Sequence, residues 1–404
     1  MDSYQLLISS THPARAAKIG ETISFYPTLV SGGANRKVYQ GIIRWKLERN
    51  AEQVVSRGEI PAASYSQGVT FHSDAPGYFK GTFEAFLDGK SVAEKQIGVL
   101  VAPELLRPAL PVPDDFGPFW EKQLKKLQSI PVSAKLTPLD SSDQVAAFDL
   151  QAECVGNQPV SGIFMRPASA AQGKHPAVLL PHGAGVRSAG YGLLAGWAAK
   201  GFLALDLNAH GLENGNSPEC YAAKERELGD YPTRGFDSGD PEKAYVLNLF
   251  LRVVRALEVL AAMPEWDGKN LWIYGGSQGA WQSLAGAALM KKVSGIAVWI
   301  PAGCDLYNGG WPCNGLIGKT DKPEELRQTV PYFDGCSFCS QIGDIPVYFA
   351  VGLIDGVCKA DGVMAAYNSL KTPKKELSLH FQMQHETLES VICELDRFIM
   401  THLV

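Results

Sequence analysis

The spacing of apolar residues changes from a period of two to a helical period at a proline-rich stretch near residue 106. Before it, apolar and polar side chains alternate, as they do from Ile43 to Leu47, which is typical of half-buried strands. The runs 79–87 and 92–101 flank Asp88-Gly89, a residue pair favoured in tight hairpin turns. We therefore predict an all-β sandwich at residues 1–106.

Beyond the prolines, strand-like and helix-like segments alternate. Phe116, Trp120, Leu124 and Leu127 share one helix face. Further strands are predicted at 177–180, 202–207, 271–274, 296–300, 347–351 and 377–381, and further helices at 191–200, 241–263, 278–290, 361–370 and 387–402. The helix at 241–263 is expected to begin at Pro241, because a first helical turn tolerates proline. Such alternation predicts a second domain at 107–404, an α/β fold with a mainly parallel, doubly wound sheet.

Composition and charge exclude several classes of protein. The 404 residues are 46% hydrophobic and 20% charged, as in soluble globular chains rather than disordered ones. A net charge of −5 is a poor match for a nucleic-acid backbone, so no nucleic-acid partner is expected. No apolar run is long enough for a membrane span, and no signal peptide is visible in the given chain. The compartment and any homo-oligomer stay open, with a periplasmic or secreted location slightly favoured by the sandwich.

The cysteine pattern does not predict a metal centre. Cys336 and Cys339 have CxxC spacing, but no second pair of cysteines or histidines completes a zinc site. We interpret the eight scattered cysteines as ordinary thiols, with a local disulfide between these two as the alternative.

A strand–turn–helix segment contains the candidate nucleophile. Gly275-Gly276-Ser277-Gln278-Gly279 matches G-x-S-x-G, follows the strand-like run 271–274 and opens a helix rich in Ala and Leu. This is the context of a nucleophile elbow, where glycines are needed because neighbouring backbones pass close together. We interpret Ser277 as a catalytic nucleophile. The alternative is a glycine-rich connection in which Ser277 only caps the helix.

A serine hydroxyl becomes a good nucleophile only when a base takes its proton and an acid orients that base. In this architecture the acid and then the histidine follow the serine along the chain, each just past a strand. Asp355 and His385 have this order and setting, and His385 alone among the later histidines lies in a loop away from the chain end. We predict Ser277, Asp355 and His385 as a triad. Asp361 is the alternative acid, and a merely solvated loop histidine is the alternative for His385.

Two backbone N–H groups are needed to stabilise the anionic oxygen of the tetrahedral intermediate. One donor is expected from Gln278, the residue after the nucleophile. The other is expected from the loop Pro181-His182-Gly183-Ala184-Gly185, where we predict Ala184. The alternative for this loop is an ordinary glycine turn.

Several ordered segments together resemble the acetyl xylan esterase / cephalosporin C deacetylase family of carbohydrate esterases, over about residues 110–404. The matching segments are Asp114-Asp115-Phe116 with Phe119-Trp120, His182-Gly183, Gly275 to Gly279, Leu353-Ile354-Asp355 with Cys358, Ala365-Ala366-Tyr367-Asn368, and His385-Glu386. The resemblance implies an α/β-hydrolase fold and the same triad and oxyanion donors. It implies no metal or organic cofactor. The sandwich predicted at residues 1–106 is additional to the simplest members of this family and resembles immunoglobulin-like modules.

Departures from the family pattern concern the substrate pocket. Ala184 stands where the family usually has Tyr after His-Gly, and Asn208-Ala209-His210 stands where it has Arg-Gly-Gln. A backbone donor survives the first change, but acyl-group and sugar selectivity are affected. Asn208, His210 and Trp311 are candidate pocket residues, while His210 could equally pin its loop and Trp311 could equally belong to a core or lid.

We therefore predict a serine esterase that removes acetyl groups from acetylated sugars or oligosaccharides through an acyl-enzyme. The first alternative keeps the triad but changes the acyl specificity, as in a longer-chain esterase or a peptidase. The second alternative is a non-catalytic carbohydrate-binding protein.

Overall fold

The computed structural model describes residues 4–12, 16–32, 36–50, 52–64 and 66–404. The chain divides into two compact units. The first unit contains residues 1–107 together with 351–368 and 378–386, and the second contains 108–350, 369–377 and 387–404. The first break lies one residue from the predicted boundary at 106/107, but two later segments are grouped with the N-terminal residues. The division into domains 1–106 and 107–404 stays a prediction.

The N-terminal part of the first unit is all-β, as the alternating pattern predicts. Its strands are β1 (Tyr4–Ser10), β2 (Ala16–Ala17), β3 (Ile23–Ser31), β4 (Arg36–Lys37), β5 (Ile42–Arg49), β6 (Gln53–Pro61), β7 (Val69–Phe71), β8 (Gly77–Leu87) and β9 (Lys90–Val101). One sheet has the order β1-β3-β4 with β7 also on β3, and the other has the order β2-β9-β8-β5-β6. Phe25, Ile43, Phe83 and Val99 are among the fully buried apolar side chains of the core.

The hairpin between β8 and β9 turns at the predicted pair. Asp88 and Gly89 both have positive φ angles, of 49° and 75°. Two successive positive φ angles give a turn whose twist matches that of the flanking antiparallel strands, which explains the preference for Asp-Gly.

The part of the chain beyond residue 106 contains both strands and helices, including several that the sequence pattern did not predict. In chain order, these strands and helices are α1 (Phe116–Gln128), β10 (Ala134–Pro138), β11 (Val145–Ala152), β12 (Val160–Pro167), β13 (His175–Pro181), α2 (Gly192–Ala199), β14 (Leu203–Leu207), α3 (Pro218–Leu228), α4 (Tyr245–Ala262), β15 (Trp266–Gly276), α5 (Gln278–Leu289), β16 (Gly295–Trp299), α6 (Pro323–Thr329), α7 (Gly335–Cys339), β17 (Val347–Gly352), α8 (Ala360–Ser369), β18 (Lys375–His380) and α9 (Glu389–Thr401). Every strand and helix predicted beyond residue 106 is present. The antiparallel strands β10, β11 and β12 and the helices α3, α6 and α7 were not predicted.

The strands beyond residue 106 form one mixed sheet with the order β10-β11-β12-β14-β13-β15-β16-β17-β18. Neighbours from β10 to β14 in this order are antiparallel, and the neighbours from β14 through β13, β15 and β16 to β17 are parallel. The predicted α/β architecture with a mainly parallel sheet is therefore confirmed. None of the described helices combines the length and the apolar character that crossing a bilayer requires.

The predicted start of the long helix at Pro241 is wrong. Pro241–Lys243 forms a separate 3-10 turn, in which an Asp240 side-chain oxygen accepts a hydrogen bond from the Glu242 N–H at 3.0 Å. Ala244 is extended, with φ −68° and ψ 127°, so α4 begins only at Tyr245. Proline does open a helical turn here, but the extended residue separates that turn from the helix.

Candidate active site

Ser277 lies at a sharp turn between β15 and α5. Its φ of 55° and ψ of −125° belong to a region that residues with a side chain rarely occupy. The Ser277 N–H donates to the Trp299 carbonyl at 3.2 Å, and the Ser277 carbonyl accepts from Ala302 N–H at 3.1 Å. The side chain is half-buried. These bonds hold the strained turn of the predicted nucleophile elbow with its serine partly accessible.

The glycines of the elbow are required by close packing. A Cβ on Gly275 would lie 2.6 Å from the backbone of Gly279, a Cβ on Gly276 would overlap the Trp299 ring, and a Cβ on Gly279 would overlap the Pro181 carbonyl oxygen. Contacts this short with backbone or a buried ring force a displacement of the chain. The two glycines of the G-x-S-x-G pattern therefore reflect the close approach of α5 to β15 and β13, and Gly276 reflects the packing of β15 against the Trp299 ring of β16.

Asp355 and His385 lie together in the first unit. His385 Nδ1 is 2.9 Å from one Asp355 carboxylate oxygen, and the other oxygen accepts from the N–H groups of Val357 at 2.7 Å and Cys358 at 2.8 Å. The Asp355 side chain is fully buried, whereas His385 is partly exposed. A buried carboxylate held by backbone donors fixes the orientation of the imidazole ring.

The alternative acid, Asp361, lies in the first turn of α8. Burial raises the pKa of its carboxyl group, while the Gly362 N–H and Lys359 act in the opposite direction. The described partner of His385 is Asp355 rather than Asp361.

The loop after β13 is attached to the start of α5. Gln282 Nε2 donates to the His182 carbonyl at 2.7 Å, and a Cβ on Gly183 would lie 3.8 Å from the Gly276 carbonyl oxygen. Gln278 is the first helical residue, so its N–H has no acceptor within the helix. The two predicted sources of oxyanion donors, Ala184 and Gln278, thus lie on adjoining segments of the second unit.

Tyr231 joins these two segments and was not identified from the sequence. Its hydroxyl donates to Gln278 Oε1 at 2.6 Å and accepts from the Gly185 N–H at 3.4 Å. The ring is buried and packs edge-on against His210, with centroids 4.5 Å apart. Burial raises the pKa of the Tyr231 hydroxyl, so it stays a neutral hydrogen-bond donor. No local motif marks a tyrosine whose partners are brought to it only by folding.

Asn208 and His210 are buried and bind protein groups. Asn208 donates to the Arg187 carbonyl at 3.0 Å and accepts from the His210 N–H at 3.1 Å. His210 Nδ1 is 2.8 Å from the Tyr245 hydroxyl. Burial, followed by the charge of Arg252, lowers the pKa of His210 to about 4. These contacts hold the loop after β14 to neighbouring segments, and the assignment of Asn208 and His210 to the substrate pocket stays a prediction.

Trp311 is half-buried and packs edge-on against Trp281, with centroids 6.4 Å apart. The Trp311 carbonyl accepts from the Gly303 N–H at 2.9 Å. Trp281 donates in turn to the Phe333 carbonyl at 2.7 Å. Trp311 thus covers a buried tryptophan and keeps part of its ring accessible, which leaves both of its predicted roles open.

One group of metal-ligating residues stands out among those the structure describes. The ligand-type atoms of Asp355, Cys358 and His385 lie within 4.8 Å of one another. Burial and the charge of Asp355 raise the pKa of the Cys358 thiol well above its usual value. Asp355 and His385 of this group form the hydrogen-bonded pair described above. Cys336 and Cys339, for which a local disulfide was the alternative, are both buried free thiols.

The chain is similar to known esterases. The family model described as acetyl xylan esterase (AXE1) matches residues 104–309 and 316–401. The acetyl esterase Axe7A of Xylanibacter ruminicola is 29% identical over 400 residues, covering 93% of this chain and 89% of that protein. That alignment therefore extends well into the first 106 residues.

Two solved structures share the fold. An acetyl xylan esterase from Paenibacillus sp. R4 superposes with a TM-score of 0.65 at 24% identity, covering 74% of this chain and 98% of that one. Acetyl xylan esterase 1 from Thermoanaerobacterium sp. JW/SL YS485 gives a TM-score of 0.65 at 23% identity, covering 75% and 98%. At these identities the likeness concerns the α/β-hydrolase fold.

Proposed function

This chain belongs to the acetyl xylan esterase (AXE1) family, and from that membership we propose that it removes acetyl groups from sugar hydroxyls with Ser277, His385 and Asp355 as its catalytic residues. The enzyme class is that of the family, the carboxylic ester hydrolases. The observation that carries the residue assignment is the 2.9 Å pair of His385 Nδ1 with the buried Asp355 carboxylate. The strained conformation of Ser277 at the end of β15 supports it.

The proposed reaction has two steps. Ser277 Oγ attacks the carbonyl carbon of the acetyl ester while His385 Nε2 takes the hydroxyl proton, and the same nitrogen then protonates the departing sugar oxygen. Water then gives a proton to His385 Nε2 and attacks the carbonyl carbon of the acetyl-serine. The bond between this carbon and Ser277 Oγ breaks, His385 returns the proton to Oγ, and acetate is released. Asp355 stays ionised, keeps the proton on Nδ1 and stabilises the imidazolium.

Negative charge develops on the carbonyl oxygen during the attack. We assign the stabilisation of this charge to two backbone donors, the N–H groups of Gln278 and Ala184. Gln278 supports this role because its N–H opens a helix, where the helix dipole also favours negative charge. Donors fixed before the reaction cost no reorganisation when the charge appears.

Acetate release tests the substrate class. We expect the enzyme to release acetate from acetylated xylo-oligosaccharides and other acetylated glycans, and to hydrolyse p-nitrophenyl acetate with kcat/KM at least about tenfold above the butyrate ester, since each added methylene must fit the acyl pocket. A preference for longer acyl chains, or hydrolysis of peptide p-nitroanilides in place of esters, would favour the alternative acyl specificities. Failure to release acetate from any acetylated glycan would contradict the proposal.

Tyr231→Phe tests the bridge between the two donor segments. The substitution keeps the ring against His210 but removes the hydroxyl that binds Gln278 Oε1 and the Gly185 N–H. We expect kcat on p-nitrophenyl acetate to fall about 10- to 100-fold with little change in KM, because the donors act chiefly in the transition state. The affinity for a boronic acid that forms a tetrahedral serine adduct should fall in parallel.

Tyr221→Phe is the matched control. The Tyr221 hydroxyl is also buried, donates to the Glu213 carbonyl at 2.6 Å and accepts from the Asn216 N–H at 3.3 Å. The two variants lose the same kinds of hydrogen bond, so similar losses of stability are expected, about 1 kcal/mol for each bond. Equal kcat values for the two variants would show that Tyr231 has only a structural role.

A further inference from the structure

The end of β9 departs from the alternating pattern of the sandwich. Residues 97–101 are all buried, whereas the preceding part of the strand is largely exposed or half-buried. Ile97, Val99 and Val101 belong to the sandwich core. Gly98 and Leu100 face the opposite side of the sheet. Tyr78 of the neighbouring strand β8 pairs with Leu100 and faces the same way. A sheet buried on both faces must be covered by another part of the structure.

Residue Leu353 lies against this outer face. A Cβ on Gly98 would lie 2.6 Å from the carbonyl carbon and from the Cβ of Leu353, and would overlap the Leu353 carbonyl oxygen. Gly98 has no positive φ angle, so the strand conformation itself does not require glycine. The absence of a side chain is needed because another backbone approaches closely.

Polar contacts flank this approach on both sides. Lys359 forms an ion pair with Glu52. Asn368 Nδ2 donates to the Pro103 carbonyl at 2.7 Å and to the Leu106 carbonyl at 3.0 Å. The segment 351–368 is therefore attached to residues 1–107 near its beginning, in its middle and at its end, which explains why it belongs to the first unit.

Tyr78 connects the same face to the acidic residues of this segment. Its side chain is completely buried. Burial raises the pKa of its hydroxyl, and the negative charges of Asp361 and Asp355 raise it further. The charge of the Asp355 carboxylate thus acts on a side chain of the outer face of β8.

Backbone bonds lead from Leu353 to the histidine. The Leu353 N–H donates to the His380 carbonyl at 2.9 Å, and the Ile354 N–H donates to the Met383 carbonyl at 3.2 Å. A Cβ on Gly352 would lie 2.6 Å from the Met383 carbonyl oxygen, so the segments 351–355 and 380–385 are closely packed. Displacement of Leu353 would therefore move both members of the Asp355–His385 pair.

We propose that the outer face of β8 and β9 is a built-in support for the Asp355–His385 pair, with Gly98 as a positioning residue that sets the place of Leu353. The N-terminal sandwich then contributes to catalysis indirectly, by positioning the Asp355–His385 pair, and is not only an appended module. The expected effect on kcat rests on the proposed function. The contact between Gly98 and Leu353 does not depend on that function.

Gly98→Ala tests the support. The added methyl group forces Leu353 away from the strand, and we expect kcat on p-nitrophenyl acetate to fall about 100-fold with KM changed less than about threefold, because sub-ångström to 1 Å misplacement of a catalytic group has effects of this size. Hydrogen exchange should become faster in peptides covering 351–368 and 378–386.

Gly81→Ala is the matched control. Gly81 is on β8 and faces the sandwich core, where a Cβ would lie 3.0 Å from Phe83 and 3.3 Å from Ile97. This variant should lower the Tm of the protein without a comparable loss of kcat and without faster exchange at 351–368. Equal effects of the two glycine substitutions on kcat would overturn the positioning role.

Two further measurements keep the outcomes separate. If Gly98→Ala does not fold, Asn368→Ala replaces it. We then expect kcat to fall about fivefold and hydrogen exchange at 351–368 to become faster. Unchanged kcat and unchanged exchange would overturn the proposal.

Wild-type acetate release together with loss of activity in Ser277→Ala tests the proposed function. If that test fails, faster exchange in Gly98→Ala still supports the contact, and unchanged exchange refutes it.

Discussion

Ser277→Ala is expected to lower kcat on p-nitrophenyl acetate at least about a thousandfold. Without Oγ no acetyl-enzyme can form, and only the slower contribution of oxyanion stabilisation and substrate binding is left. Steady-state kinetics measure the loss, and a fluorophosphonate probe that labels the wild-type protein should no longer label the variant.

Ser283→Ala is the control for this experiment. Ser283 lies on the same helix, α5, is fully buried and donates to the Gly279 carbonyl at 2.7 Å. Its loss removes a serine hydroxyl next to the elbow without removing Ser277, so kcat should stay within a few-fold of the wild type. Retained activity in Ser277→Ala, after contaminating esterases have been excluded, would refute the nucleophile assignment.

Asp355→Asn is expected to reduce kcat about 10³- to 10⁴-fold. The amide has nearly the shape of the carboxylate, but its NH₂ group favours the imidazole tautomer with the proton on Nε2, where His385 can no longer act as a base. The negative charge that stabilises the imidazolium is lost as well. Measurements of kcat and KM should show the loss mainly in kcat, and unfolding curves should show that the variant is folded.

Asp361→Asn separates the two candidate acids. Asp361 is buried in the first turn of α8, and the amide of Asp361→Asn has nearly the shape of the carboxylate that it replaces. We expect less than about a tenfold change in kcat. A large loss in Asp361→Asn together with a small loss in Asp355→Asn would assign the acid to Asp361.

The sequence identified candidate functional residues where their role depends on neighbouring residues or on their order along the chain. The G-x-S-x-G segment lies between a strand and a helix in the chain itself, and the strained φ of Ser277 is a consequence of that local turn. Asp355 and His385 were found because parallel strands present their following loops at one edge of the sheet. The chemical roles of these three residues stay predictions until the substitutions are measured.

Residues that act across the fold were not recognised. Tyr231 contacts Gln278 from 47 positions away, and Gly98 contacts Leu353 from a different part of the chain. Neither belongs to a motif. The continuous apolar run 97–101 was a usable signal of burial on both faces, but it does not identify the covering segment.

The sequence by itself determined the order of the elements, the all-β character of the N-terminal part and the identity of the candidate catalytic residues, because periodicity and glycine spacing act over a few neighbouring residues. Only the tertiary structure decided which carboxylate meets His385, which hydroxyl joins the loop after β13 to α5, and that the segments bearing Asp355 and His385 pack with the sandwich. These contacts depend on side chains and backbones brought together by the burial of apolar surface, which a pattern along the chain does not specify.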